Sequence, residues 1–533
     1  MMEKTGRFQP PSMARFSLTT PLYYVNARPH IGSAYTTMAA DALARFAALR
    51  GDAVLLVTGT DEHGQKIQRT AQEQGVSPQV HCDRMVAEFQ ALWRKLNIHW
   101  HRFSRTTDPR HGMIVQEFFQ RLWAKGDIYL HQQQGWYCVA CEEFKDEREL
   151  LPERYCPLHP HLQVEWRDEP NYFFRLSQYQ PKLEDLYQNQ PDFIQPEARR
   201  NEVLKFVAQG LADFSISRLH LDWGFPVPVD PQQVIYVWFD ALLGYLTALV
   251  EPDAEPSLAQ ATQTWWPVDV HLIGKDILRF HAVYWPAMLL SAELPLPKRI
   301  FAHGFLTKDG QKMSKSLGNI IDPFHLVDEY GSDALRYYFL KEIELGKDGD
   351  FNEERFIQTV NADLANDLGN LLNRTLKLVH KYCGGCVPAV AVPRDNPLAV
   401  LAEDLGVQVA QAYRELALHR ACLLPLTLAQ RANKWIDEQA PWQLAKTGEP
   451  ATLAAVLYSL LEAVRLAAYL LSPVIPQTST RIYQQLGYPI DFDRQPELDY
   501  HQQARWGALP PGQPLAAPEP VFLRLGLPKV IRS

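Results

Sequence analysis

FSLTTPLYYVNARPHIGSAYTTMAADALARFAALRGDAVLLVTGTDEHG, residues Phe16 to Gly64, decides the fold. Phe16–Val25 reads as a strand running into a turn at Pro21. Ser33–Arg50 places Met38, Ala42, Leu43, Phe46 and Ala47 at helical spacing and stops at Gly51, which suits the left-handed position after a helix. Ala53–Val57 is a short apolar strand that runs into the polar turn Gly59-Thr60-Asp61-Glu62-His63-Gly64. Strand, loop, helix, strand predicts the start of an α/β fold with a doubly wound parallel sheet. Ligands of such sheets gather at the carboxyl ends of the strands, where both His30 and Asp61 fall. Val234–Trp238, Val270–Ile273 and Ile300–Gly304 are further apolar runs that can complete the sheet.

Outward from this stretch the pattern changes twice. Residues 127–223, rich in Cys, His and Pro, look like a connective insertion between two halves of the sheet, 16–126 and 224–305. A loop region follows at 306–355. Leu364–Val379, Leu398–Leu418, Leu426–Trp435 and Ala451–Leu471 then repeat apolar residues at helical spacing, which predicts an all-α bundle over 356–508. Residues 509–533 hold several prolines and read as a tail docked on the surface. Residues 1–15 are polar and Pro-containing and read as a disordered extension, with Met13 as an alternative start.

Composition bounds the class. The 533 residues suggest roughly three or four domains, or two large ones. Hydrophobic residues at 46% and charged residues at 21% are an ordinary globular balance. A net charge of −8 does not advertise nucleic-acid binding, although a local basic face can bind RNA on an acidic protein. No apolar run approaches the roughly 18 residues of a membrane span, and the N-terminus has no signal-peptide core. Seven cysteines without secretory context argue against a disulfide framework, so a soluble cytoplasmic protein is expected.

Three constellations carry chemistry. In Pro29-His30-Ile31-Gly32-Ser33, a helix N-terminus offers unpaired N–H groups to a phosphate, and Gly32 lets a nucleotide approach the backbone. The same residues also suit a capped helix with a surface histidine. In Gly310-Gln311-Lys312-Met313-Ser314-Lys315-Ser316-Leu317-Gly318-Asn319, two lysines on a glycine-flanked loop can meet the charge of a departing pyrophosphate. Cys138-Val139-Ala140-Cys141 is followed after fourteen residues by Cys156-Pro157-Leu158-His159. Two such knuckles match tetrahedral Zn2+, and four protein ligands leave no place for substrate, so the metal is structural. His161 is a rival fourth ligand; the spacing favours His159. Cys383-Gly384-Gly385-Cys386 has no partner knuckle and reads as a helix terminator.

The histidine loop far upstream of the lysine loop resembles the class I aminoacyl-tRNA synthetases, and along almost the whole chain the resemblance is to the methionyl-tRNA synthetase family. Its carriers are Pro21-Leu22-Tyr23-Tyr24-Val25-Asn26, Tyr236-Val237-Trp238-Phe239-Asp240-Ala241 with Gly244-Tyr245, and Ile273-Gly274-Lys275-Asp276-Ile277 with His281 and Trp285. The resemblance implies a Rossmann-like catalytic domain and a methionine–tRNA ligase that forms methionyl-adenylate from L-methionine and ATP with Mg2+, then charges tRNA(Met). It implies ATP contacts from His30, Gly32, Ser33, Lys312, Ser314 and Lys315, with His30, Lys312 and Lys315 catalytic. It implies a methionine pocket of Leu22, Tyr24, Trp238, Ala241, Tyr245, Ile277, His281 and Trp285, with Asp61 on the ammonium. A thioether gains from aromatic edges, and a hydroxyl at Tyr245 aimed at sulfur would add selectivity. Asn370, Arg374 and Trp442 correspond to positions that read the anticodon.

Two residues depart from the family pattern. Ser33 stands where the loop usually has His, and its hydroxyl is expected to contact phosphate. Leu242 stands where Pro is frequent. The chain ends soon after the bundle, without room for the appended module that dimerises some members, so a monomer is expected; a native mass of two chains at micromolar concentration would refute this. A related synthetase for isoleucine, leucine or valine carries a larger inserted editing domain than the zinc-bearing stretch here. A non-catalytic tRNA-binding relic is at odds with the intact lysines and zinc set.

Overall fold

The computed structural model describes residues 14–145, 147–219, 221–313, 319–494 and 498–526. Its centre is a six-stranded parallel sheet formed by β1 (Arg15–Tyr24), β2 (Ala53–Asp61), β3 (Arg102–Arg105), β4 (Ile194–Gln195), β5 (Val270–Gly274) and β6 (Ile300–His303), in the spatial order β3-β2-β1-β5-β6-β4. The order reverses between β1 and β5, which opens a crevice at their carboxyl ends. Pro21 cannot donate to the ladder, and the β1–β2 register shifts between Thr19 and Leu22. Beyond the shift Leu22 pairs with Gly59 and Tyr24 with Asp61, so β1 carries both side chains to the crevice.

Helix α1 (Ile31–Leu49) follows β1 and is buried along nearly its whole length. Its alanines let it lie between the sheet and the helix Ser332–Glu342. Gly51 takes φ 86° just after it, as the sequence predicts.

The second half of the sheet differs from the sequence expectation in two ways. Val234 and Ile235 end a strand, Asp230–Ile235, of a small antiparallel sheet with Pro226–Val227 and Ser217–Arg218; they do not join the main sheet. Val237 already opens helix α2 (Val237–Thr247). A buried helix start is as continuously apolar as a buried strand, so periodicity could not separate them. The edge strand β4 comes from within 127–223: Ile194 and Gln195 pair with Ile300 and Phe301. That stretch is therefore woven into the sheet as well as standing apart from it.

Three cores result. One spans the α1 face of the sheet and continues into the bundle. A second covers the other face under α2 and the helix Pro109–Lys125. The third, under the knuckle, has only Cys138, Cys156 and Val164 buried. In the bundle, Leu371–Cys383 ends at Gly384 in the left-handed region, so the Gly-Gly pair terminates a helix. In the described part of the tail, Leu515 and Val521 are buried, and Leu525 and Asn361 exchange two hydrogen bonds; residues 527–533 lie outside the described residues. Pro450–Leu471 has the length and apolarity of a membrane span but runs buried through the bundle.

Candidate active site and metal centre

His30 is the N-cap of α1. Its Nδ1 accepts from the backbone N–H of Gly32 (3.0 Å) and Ser33 (3.4 Å), which leaves Nε2 to carry the proton. Desolvation by the surrounding protein lowers its pKa, partly opposed by Asp276 at the end of β5. The ring folds over Gly32, where a Cβ would lie 2.9 Å from Cε1. Ser33 closes a capping box: its Oγ accepts from the His30 N–H (3.1 Å) and donates to the His30 carbonyl (2.7 Å). The hydroxyl proton expected for phosphate is thus committed to the backbone. Lys312 lies in a strand, Gln311–Lys312, that pairs with Leu306–Lys308. Gly310 anchors that hairpin by donating its N–H to Asp350. Ser314 and Lys315 fall outside the described residues.

Asp61 ends β2, is buried, and has one carboxylate oxygen without a hydrogen-bond partner. Burial, with Asp240, Glu142 and Glu62 nearby, pushes its pKa well above the usual carboxylate range. The neighbouring carboxylates are held differently. Glu62 takes a bidentate pair from Arg105 and hydroxyl protons from Thr60 and Thr107. Asp240 lies between His63 (2.5 Å) and His111 (2.6 Å); burial would raise its pKa, but the two imidazoles bring it below the ordinary value.

Beside Asp61 the aromatic residues converge. Trp238 stacks on Phe280 at 3.8 Å and meets His281 edge-on. Tyr245 donates to Nε2 of His281 (2.8 Å), whose Nδ1 donates to the Ile277 carbonyl (3.1 Å). Trp285 lies 6.5 Å from Tyr245, ring to ring. Leu22 fills space left by Gly244 and Gly59, where Cβ atoms would come within 2.3 and 2.9 Å of it. Ala241 is buried on α2, on the turn between Trp238 and Tyr245. Tyr24 donates to Glu142 at 2.8 Å. Of the sequence-predicted pocket residues, Trp238, Tyr245, His281 and Trp285 thus form one aromatic cluster, with Leu22 packed against Gly244 next to Tyr245, but the Tyr245 proton is directed to His281 rather than left for a sulfur. His281 sits in a wide π-type turn, Phe280–Tyr284, a device frequent at functional sites.

Sequence reasoning missed His271, Phe280, Glu142 and the His63–Asp240–His111 group. His271 accepts from the Trp285 indole (3.3 Å) and donates to Thr19 (2.7 Å). A histidine inside the apolar strand Val270–Gly274 was its available signal. The others have no local signal, because their partners lie far away in sequence.

In the knuckle, the donor atoms of Cys138, Cys141, Cys156 and His159 all lie within 4.8 Å of one another. Nδ1 of His159 is 3.3 Å from Sγ of Cys141 and 3.8 Å from Sγ of Cys156, and those two sulfurs are 3.5 Å apart. A tetrahedral thiolate site has edges of about 3.8 Å, so the set fits a metal ion such as zinc. His161 is outside the group.

In the bundle, Asn370 ends a π-type stretch, Asn361–Asn370, and Arg374 lies in the first turn of the helix after it, Leu371–Cys383. Arg374 bridges to Asp437 at 2.5 Å, near the end of Leu418–Gln439. Trp442 begins the next helix, Pro441–Thr447, and is 37% exposed, so it is not a core residue. The helices of Arg374 and Trp442 touch.

The family model described as tRNA synthetases class I (M) matches residues 16–163 and 153–376, and that of the anticodon binding domain of methionyl tRNA ligase matches 401–526. The chain is 65% identical to a methionine–tRNA ligase of Thermosynechococcus vestitus, over 97% of this chain and 98% of that one. It is 63% identical to that of Synechocystis, over 97% and 99%. The Mycobacterium tuberculosis methionyl-tRNA synthetase in complex with methionyl-adenylate superposes with a TM-score of 0.89 at 42% identity, covering 96% of this chain and all of that one.

Proposed function

We infer the division of labour among these residues from one premise: the chain belongs to the class I methionyl-tRNA synthetases and is an ATP-dependent methionine–tRNA ligase. The observation that carries the assignment of the site is the buried Asp61 carboxylate with an unpartnered oxygen, set among other carboxylates at the carboxyl end of β2, next to Tyr24 at the end of β1. A cation there would relieve both the burial of Asp61 and its repulsion by Asp240, Glu142 and Glu62. The substrate ammonium is that cation. The side chain then extends among Leu22, Tyr24, Trp238, Ala241, Tyr245, Ile277, His281 and Trp285, where a thioether gains from aromatic contact.

ATP lies across the N-terminus of α1, over Gly32. The methionine carboxylate attacks the α-phosphate, and pyrophosphate leaves. His30, with its proton on Nε2, donates to the phosphate oxygens as charge develops; Lys312 and Lys315, with Ser314, neutralise the pyrophosphate, and Mg2+ bound with ATP would share that charge. Ser33 acts indirectly by locking the His30 backbone. A hydroxyl of the terminal ribose of tRNA(Met) then attacks the methionyl carbonyl, the ester forms and AMP leaves with the anhydride bond broken, so no protein nucleophile is needed. Asn370, Arg374 and Trp442 read the anticodon, Trp442 by stacking a splayed base.

Zinc held by Cys138, Cys141, Cys156 and His159 supplies a cross-link that a three-residue core cannot replace. Methionine-dependent ATP–pyrophosphate exchange tests the reading, with isoleucine, leucine and valine as controls. Exchange with methionine alone is expected; exchange with another of these amino acids, or with none, would overturn it.

A further inference from the structure

Glu142 follows the metal-site residue Cys141 directly, yet its side chain leaves the knuckle and enters the amino-acid site. Its carboxylate accepts from the Tyr24 hydroxyl (2.8 Å) and from the backbone N–H of Lys66 (2.8 Å). Glu142 is buried and holds a left-handed backbone, φ 53°, which a non-glycine residue adopts at a cost. The facing position is Gly64, where a Cβ would fall 2.4–2.7 Å from the Glu142 carboxylate. Arg218 closes the arrangement, its guanidinium donating to the Glu142 carbonyl at 3.3 Å. Strain on one side and a missing side chain on the other thus serve one contact between the knuckle and the cleft. Nothing within the knuckle requires it, since all four donor atoms converge without Glu142.

We propose that Glu142 is a positioning residue through which the cysteine–histidine knuckle shapes the methionine site: it fixes Tyr24 and sets a second carboxylate beside Asp61. This rests on the reading that Tyr24 and Asp61 hold the substrate. The ligand set fixes the backbone at Cys141, and Glu142 carries that geometry some distance from the metal to the ammonium corner. A knuckle that reads as structural thereby contributes to amino-acid affinity. ATP contacts lie on the α1 side and are independent of it.

The test uses the full-length, zinc-loaded enzyme and measures methionine affinity without ATP, by intrinsic fluorescence, for wild type, Glu142→Ala, Glu142→Gln and Asp61→Asn. Glu142→Ala loses a charged hydrogen bond to Tyr24, so methionine binding weakens about tenfold or more. Zinc content stays at one per chain, and KM for ATP changes less than about threefold in exchange assays. Glu142→Gln keeps an acceptor for Tyr24 and recovers part of the affinity, with the remaining loss reporting the charge. Unchanged methionine affinity in Glu142→Ala, while Asp61→Asn weakens it, would overturn the role of Glu142 alone. Unchanged affinity in Asp61→Asn would overturn the pocket reading beneath it. Loss of zinc with equal losses toward methionine and ATP would make Glu142 a scaffold residue and overturn the proposal.

Discussion

Two buried carboxylates, Asp61 in the cleft and Asp41 on α1, are treated in opposite ways. Asp41 meets Arg45 (2.7 Å), Arg336 (2.6 Å) and the His99 N–H (2.8 Å). Burial would raise its pKa, but the two guanidinium groups bring it below the ordinary value. Glu462 in the bundle is likewise fully partnered, with a bidentate Arg465 and N–H bonds from Gly507, Ala508 and Leu509. Asp61 has one oxygen unpartnered, and its nearest charges are other carboxylates. Asp41 and Glu462 are thus neutralised within the chain, whereas Asp61 is not. Asp333, on the helix Ser332–Glu342, also keeps one oxygen unpartnered and is raised by burial, so what sets Asp61 apart is the group of carboxylates around it, the reason it is proposed to receive a cation.

The largest way to break this contrast is in the bundle. Arg465→Met strands Glu462 and should cost about 3–5 kcal/mol of stability, read by denaturant unfolding. Methionine affinity of the folded fraction should not change. A cost below about 1 kcal/mol would mean the pair is as dispensable as a surface bridge.

The next test is the sign of pH dependence. Asp41 has a folded pKa below its unfolded one, so its stabilisation is complete above the usual carboxylate range and is lost as pH falls through the folded value. Asp61 is raised, so the free enzyme loses stability as pH climbs from the ordinary carboxylate range to the folded value. Subtracting the pH–stability curve of Asp61→Asn from that of wild type should isolate this fall, about 1.4 kcal/mol for each pH unit of displacement. A flat difference would contradict it. At neutral pH the same substitution should leave stability within about 1 kcal/mol of wild type or raise it, because a stranded charge is removed.

The smallest effect belongs to the neutral network of the pocket. Tyr245→Phe leaves Nε2 of buried His281 without its donor and should cost about 1–2 kcal/mol in thermal unfolding. Rescue by a second change, His281→Leu, would show that the cost lies in the unpaired nitrogen.

How far the sequence reached follows from distance along the chain. The strand–helix–strand opening, the glycine after α1 and the knuckle spacing are local patterns, and each stands where it was expected. Val234–Trp238 misled because a buried helix start and a buried strand share one composition. The edge strand Ile194–Gln195 is too short to show a period. Glu142 reaches Tyr24 across 118 positions, and Arg336 reaches Val474 across 138, which no local pattern carries. Ser33 was read as a phosphate donor, but its spacing from His30 is also that of a reciprocal cap, and the structure uses the cap.

Asp61 is proposed to receive the substrate ammonium. Calorimetric binding of L-methionine and of its desamino analogue, 4-(methylthio)butanoate, to wild type and Asp61→Asn tests it as a double-mutant cycle. Removing either the amino group or the charge is expected to weaken binding, and removing both to cost little more, a coupling of about 2 kcal/mol or above. Additive losses, with coupling near zero, would contradict it.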